Sequence, residues 1–185
     1  MLDYTTLWQG EYRSMISPVK YPYEVMHEVD CMHVLPILKS NVGPRFVLRE
    51  EFCPAYMVKD THNSQLFYTT ISGRADAQNK GSGILMMGQE LREEAGIQLI
   101  SSDILEHWFI PFAKVSTTRV HVYIIHVTKW DVVPETGDGS EYEKKGNSVE
   151  VSEKEMQNVL ELPNTDFSVH AMFAMALKYR HIWNS

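Results

Sequence analysis

The segment Thr118–Val127 limits the possible folds of this chain more than any other. Its side chains alternate between two sides, one carrying Val120, Val122 and Ile124 and the other His121, Tyr123 and Ile125. A period of two in β-branched residues is typical of a strand. Because apolar residues occur on both sides, each face of the sheet needs a covering layer. We therefore predict a central strand in a mixed α/β (α+β) domain.

The other predicted elements fit this architecture. Further strands are expected at Cys31–Leu38, Arg45–Arg49, Leu66–Ile71 and Trp108–Phe112. Three helices are expected: one from about Ile84 to Ala95 with Gly96 as its stop, one opening at the capping box Ser152/Glu155, and one from Asp166 to about Tyr179. Two stretches, 76–82 and 134–147, read as loops.

Composition excludes several classes of protein. A chain of 185 residues fits one domain, and it contains no run of 18 apolar residues that would span a membrane. The formal charge of −7 argues against general nucleic-acid binding. Two cysteines cannot build a disulfide framework, and the start of the chain lacks the pattern of a signal peptide. We expect a cytoplasmic protein without membrane or nucleic-acid partners.

Three carboxylates lie close together on the first predicted helix. Residues three and four apart are neighbours on a helix, so Glu90 lies beside both Glu93 and Glu94, while Leu91 faces the other way. Like charges at this spacing cost about 0.2–0.5 kcal/mol per pair. A solvated surface face is one interpretation. A site for a hard cation such as Mg²⁺, which binds carboxylate oxygens, is the other.

The helix sequence, together with its flanks, resembles the Nudix hydrolase superfamily. The second half of that family's motif is matched at Glu90, Leu91, Glu93, Glu94, Gly96 and Ile97. The first half is degenerate: counted from Gly73, the loop is two residues too long, and Gln89 stands where the family has arginine. Segments 34–54, 66–73 and 111–127 resemble the family's ADP-sugar pyrophosphatase branch. The resemblance implies a Nudix fold, with a mixed β-sheet sandwiched between helices.

The resemblance also implies that the chain has two parts with different roles. Residues 1–29 look like the small antiparallel segment with which these enzymes form homodimers, and residues 30–185 like the hydrolase domain. In that branch an aromatic residue from each segment can sandwich the adenine, and the matching residues here are Tyr12 and Tyr23. Stacking on an aromatic ring is worth about 1–3 kcal/mol per base. Simple packing of both tyrosines in an edge strand or dimer contact is the alternative.

Metal-binding and catalytic roles follow from the same resemblance. Glu90 and Glu94 are expected as direct ligands of Mg²⁺, with Mn²⁺ as a possible substitute, and Glu93 as a ligand or water-orienting base. The carbonyl of Ser72 or Gly73 would add a contact. The late glutamate that acts as base or extra ligand is expected at Glu141, with Glu143 and Glu150 as alternatives.

The sequence departs from the branch at a residue that can serve the substrate phosphates. Cys53 stands where the branch usually has arginine. Arg49, Arg74 and Arg119 are the possible substitutes, with Arg49 and Arg74 taken as substrate-binding candidates.

The implied activity is hydrolysis of the pyrophosphate bond of a nucleoside diphosphate sugar, first of all ADP-ribose to AMP and ribose 5-phosphate. One alternative is hydrolysis of NADH or another dinucleotide. Another is a Nudix-fold nucleotide-binding module with little catalysis, which the altered motif favours.

Overall fold

The computed structural model describes the backbone of residues 4–9, 13–18, 25–51, 66–75, 82–111, 118–136 and 146–183. Side chains are described within these ranges from residue 29 onward, except for Pro111. The first three strands, β1 (Tyr4–Gln9), β2 (Arg13–Pro18) and β3 (Val25–Glu28), form an antiparallel sheet in the order β1–β2–β3. An antiparallel segment is therefore present where the sequence implied one, and its role in dimerisation stays a prediction.

A mixed sheet of seven strands forms the body of the described structure. Its strands are β4 (Cys31–Leu38), β5 (Arg45–Glu51), β6 (Phe67–Thr69), β7 (Ile71–Arg74), β8 (Ile97–Pro111), β9 (Arg119–Val132) and β10 (Asn147–Ser152). The main path runs β10–β5–β4–β9–β8, with β6 paired to β5 and β7 to β4. The β4–β9 pair is parallel, and the other pairs of this sheet are antiparallel.

Four α-helices and one 3₁₀ turn accompany this sheet in the described ranges. They are α1 (Gly83–Ala95), α2 (Glu153–Leu160), α3 (Phe167–Ala176), the 3₁₀ turn Leu177–Tyr179, and α4 (Arg180–Trp183). None of these helices is long and apolar enough to cross a membrane.

Two apolar cores lie on opposite faces of β4 and β9. On one face, Val122 and Ile124 pack with residues of α2 and α3, including Met156 and Phe173. On the other face, Tyr123 and Ile125 join a cluster with α1, including Met86, Met87 and Leu91. The alternation in 118–127 thus marks a strand buried on both sides, as predicted.

The sheet forks where β4 and β5 separate. They pair only at Ile37–Leu38 and Arg45–Phe46, and beyond that point β6 pairs with β5 while β7 pairs with β4. Thr70, between β6 and β7, is fully buried, and its hydroxyl lies 2.8 Å from His33 Nδ1 and 3.2 Å from Ser168 Oγ. This chain of polar contacts fixes the start of β7, the strand that α1 touches.

Sequence patterns predicted the positions of most helices and strands, but the predicted bounds of some were too short. β4 has the predicted bounds, α1 begins one residue earlier than predicted, and the capping box at Ser152 and Glu155 is formed on both sides. The strand predicted at Trp108–Phe112 is the end of a strand that begins at Ile97. β10 was not predicted. Residues 76–81 of the first predicted loop lie outside the described ranges.

Replacing the cap of α2 should weaken the fold measurably. The Ser152 hydroxyl accepts a hydrogen bond from the Glu155 backbone N–H. Ser152→Ala should lower the free energy of unfolding by about 1 kcal/mol in urea titrations. Ser82 is the matched control, because it caps α1 without a side-chain hydrogen bond. Equal losses in Ser82→Ala and Ser152→Ala would contradict this expectation.

Because of His33, the free energy of unfolding should decrease in mild acid. Burial lowers the pKa of the His33 imidazole below 6.5, although the negative charge of Asp166 acts in the opposite direction. As the pH falls below 6.5, His33 takes up a proton more readily in the unfolded chain than in the folded one. The contribution of neutral His33 to the free energy of unfolding is therefore complete above pH 6.5 and is lost as the pH falls. Urea titrations from pH 7.5 to 5.5 should show a smaller decline in His33→Gln. The exposed His181→Gln should leave the wild-type decline unchanged.

Candidate functional site

The acidic face of α1 lies against β7. A side-chain carbon on Gly73 would overlap the carboxyl group of Glu90, so glycine is what admits Glu90 at this position. The Ser72 backbone N–H donates to Glu94 Oε2 at 3.3 Å. Glu94 is 5% exposed, an unusual degree of burial for a carboxylate. The structure therefore brings Glu90, Glu94, Ser72 and Gly73 together, and their expected roles in binding a metal ion stay predictions.

Glu93 differs from its two neighbours in its contacts. Gln89 Nε2 donates to Glu93 Oε2 at 3.4 Å, a long hydrogen bond within the same helix. Arg92, the residue before Glu93, is exposed. Among the described residues, no group of three or more histidine, cysteine, aspartate or glutamate side chains is arranged to hold a metal ion. The three glutamates thus occupy neighbouring positions without converging on one point.

The C-terminal end of α1 is held by groups from elsewhere in the fold. Gly96 takes a left-handed conformation (φ 62°) and ends the helix. Two of the last carbonyls receive a donor: Arg49 Nη1 donates to Glu94 O at 2.6 Å, and the Thr136 N–H donates to Glu93 O at 3.0 Å. Val133 N–H donates to the carbonyl of Gly96. These bonds fix the turn that carries Glu93 and Glu94.

Arg49 also contacts both flanks of the acidic segment 137–145. Its Nη1 lies 3.0 Å from Glu135 Oε2, and Ser148 Oγ donates to the other Glu135 oxygen. Gly146 packs so closely against the guanidinium that a Cβ there would lie 2.9 Å from two of its nitrogens. Sequence reasoning missed Glu135 and Gly146. Their one signal is their position at the two ends of the predicted loop, 134–147.

Arg49 influences a second carboxyl group on its own strand. Burial raises the pKa of Glu51, and the positive charge of Arg49 acts in the opposite direction. Asp166 adds to the rise. The guanidinium therefore acts on two carboxyl groups, those of Glu51 and Glu135.

The remaining predicted residues are more dispersed. Arg74 is exposed at the end of β7, one residue after Gly73. Arg119 begins β9, and its guanidinium lies 5.8 Å from the centre of the Phe109 ring. Glu150 is exposed on β10, where its carbonyl accepts a hydrogen bond from Arg45. Tyr12, Tyr23, Glu141 and Glu143 lie outside the described residues, so their roles stay predictions.

The comparisons with known proteins establish similarity at the level of the fold. No protein-family model matches the sequence, and no curated protein sequence matches it. Among solved structures, the chain is similar to the crystal structure of an ADP compounds hydrolase, with a TM-score of 0.65 and 14% identity. The match covers 96% of this chain and 94% of that chain. It confirms the predicted mixed α/β fold.

The contact between Glu90 and Gly73 can be tested by stability measurements. Gly73→Ala should lower the free energy of unfolding by about 1–3 kcal/mol, since the new methyl group displaces Glu90. In the double variant Gly73→Ala/Glu90→Ala most of this loss should return, because residues in contact are energetically coupled.

Gly88 provides the matched control on α1, since nothing lies within 4 Å of a Cβ built there. Gly88→Ala should stabilise the helix by about 0.5–1 kcal/mol. Strictly additive effects of Gly73→Ala and Glu90→Ala would show that the two residues are not in contact.

Proposed function

We propose that this protein is a metal-dependent hydrolase of the pyrophosphate bond in nucleoside diphosphate sugars. ADP-ribose is the first candidate substrate, with AMP and ribose 5-phosphate as the products. The proposal is for a Nudix-type ADP-sugar diphosphatase that uses Mg²⁺, or Mn²⁺ in its place.

The observation that carries the proposal is the way the acidic helix meets β7. Glu94 is buried and bonded to a backbone N–H, and Glu90 occupies space that only glycine leaves open. A solvated surface helix needs neither arrangement. The overall similarity to an ADP compounds hydrolase supports the same class of substrate.

The residues present suit a hard divalent cation in their chemistry. Carboxylate oxygens are the ligands Mg²⁺ prefers, and Glu90, Glu93 and Glu94 would supply them, with the Ser72 or Gly73 carbonyl as a further donor. Bound metal would lower the pKa of a water molecule and stabilise charge on the phosphates. The protein's own part is to hold the carboxylates: Ser72 and Gly73 orient Glu94 and Glu90, while Gln89 restrains Glu93.

A nucleotide-binding module with little catalysis is the second candidate. Two observations favour it: the three glutamates do not converge within the described part of the chain, and the group bonded to Glu93 is an uncharged amide. Such a protein would bind ADP-ribose without turning it over.

A substrate panel separates these candidates from each other and from a dinucleotide pyrophosphatase. ADP-ribose, ADP-glucose, UDP-glucose, NADH and diadenosine polyphosphates would each be incubated with Mg²⁺, Mn²⁺ or EDTA, and the products separated by chromatography. We expect cleavage of ADP-ribose that EDTA abolishes. Preferred cleavage of NADH would favour the dinucleotide alternative. If calorimetry shows binding and no compound is cleaved, the protein is a nucleotide-binding module and not an enzyme.

Glu94→Gln should slow turnover strongly while the fold survives. The substitution keeps the size of the side chain and an oxygen for the Ser72 N–H, but it removes the charge that would hold the metal. The rate should fall by about 100-fold or more, because losing a direct ligand should cost at least as much as losing a group that orients one, which costs about 10–100-fold. Glu161→Gln, an exposed position at the end of α2, should keep the wild-type rate. Equal rates in both variants would remove Glu94 from the mechanism.

A further inference from the structure

Arg49 is a buried cation at the carboxyl end of the acidic helix. It lies on β5, and its side chain is 3% exposed. Nη1 donates to two acceptors, the backbone carbonyl of Glu94 at 2.6 Å and Glu135 Oε2 at 3.0 Å. Nη1 of the guanidinium is thus engaged by the protein's own groups.

The electrostatics of this position are favourable. The carbonyl end of a helix carries partial negative charge, and a cation placed there stabilises the last turn. A buried charge also needs a partner, which Glu135 supplies. Because the Glu135 side chain is 38% exposed, it can be hydrated when the arginine is removed, whereas the Glu94 carbonyl would lose a charged donor inside the protein.

The contact of Arg49 with Glu94 links the position of the Glu94 backbone to the direction of the Glu94 carboxylate. The Glu94 carbonyl is fixed by Arg49, and its carboxylate is fixed by the Ser72 N–H. Residue 94 is therefore held at two points, one on β5 and one on β7. Those two strands lie on opposite branches of the fork in the sheet, since β7 pairs with β4.

We infer that Arg49 is a positioning residue for the acidic site and not a group that binds the substrate. It sets the last turn of α1, and through it the Glu94 carboxylate, and it joins that turn to the flanks of segment 137–145 at Glu135 and Gly146. The inference rests on the proposed function, whose active site contains Glu94.

Steady-state kinetics distinguish positioning from substrate binding. Arg49→Met should lower kcat by about 10–100-fold and raise the Mg²⁺ concentration needed for half-maximal rate, with KM for ADP-ribose nearly unchanged. Arg49→Lys should recover part of kcat, because an ammonium keeps the charge but lacks the guanidinium's planar set of donors. A higher KM with an unchanged kcat would overturn the inference and make Arg49 a substrate ligand.

Two further variants guard against loss of fold. Glu135→Gln keeps Arg49 and removes the charge of its partner, so its kcat should lie between those of wild type and Arg49→Met. Arg180→Met removes another guanidinium with an ion pair, 2.8 Å from Glu153 on α2, and should leave kcat unchanged. Thermal unfolding of every variant would be followed in parallel. A drop in kcat of Arg49→Lys that follows only the unfolded fraction would also overturn the inference.

Binding of Mn²⁺ alone separates this inference from the proposed function. Electron paramagnetic resonance would measure Mn²⁺ affinity in wild type, Arg49→Lys and Arg180→Met without any nucleotide. If wild type binds Mn²⁺ but cleaves no compound, the proposed activity fails, and about tenfold weaker binding in Arg49→Lys still supports positioning. Equal affinity in all three proteins, or no Mn²⁺ binding by wild type, would overturn the inference.

Discussion

The parallel pairing of β4 with β9 is the constraint on which the rest of this structure depends. The two strands pair from Cys31 and Val120 to Leu38 and Val127, and both are largely buried. Strands buried on both faces need a layer on each side. α1 covers one face, and α2 and α3 cover the other. Every feature of the candidate site depends on α1 being seated on the first face.

The fork between β4 and β5 determines what α1 meets there. One short run of chain, 67–74, pairs first with β5 and then with β4, and so joins the two branches. The contacts of buried Thr70 with His33 and Ser168 fix the turn between β6 and β7. Ser72 and Gly73 follow at once, and they receive Glu94 and Glu90. The position of the acidic groups is thus determined by the sheet as much as by their own helix.

Sequence patterns correctly predicted those features of the fold that depend on residues close together in the chain. The bounds of β4, the capping box at Ser152 and the stop at Gly96 are each set by residues close together in the chain. The strand predicted in place of β8 was too short, because Ser101, Ser102 and Asp103 interrupt the apolar pattern. At the two serines β8 has irregular pairing with β9 at the edge of the sheet. The three glutamates were found from helical spacing. The ion pair between Arg49 and Glu135 spans 86 residues, and no local pattern reports it.

The anchoring of segment 137–145 at both ends affects how this region can change in length. Nine residues connect Thr136 to Gly146, and Glu135 and Gly146 both contact the Arg49 guanidinium. In general, the entropy lost in closing a flexible loop grows only with the logarithm of its length, and each doubling of the length adds about 0.6 kcal/mol. Insertions between Glu135 and Gly146 are therefore expected to cost little stability, while the contacts that Arg49 makes with these two residues and with the Glu94 carbonyl are kept.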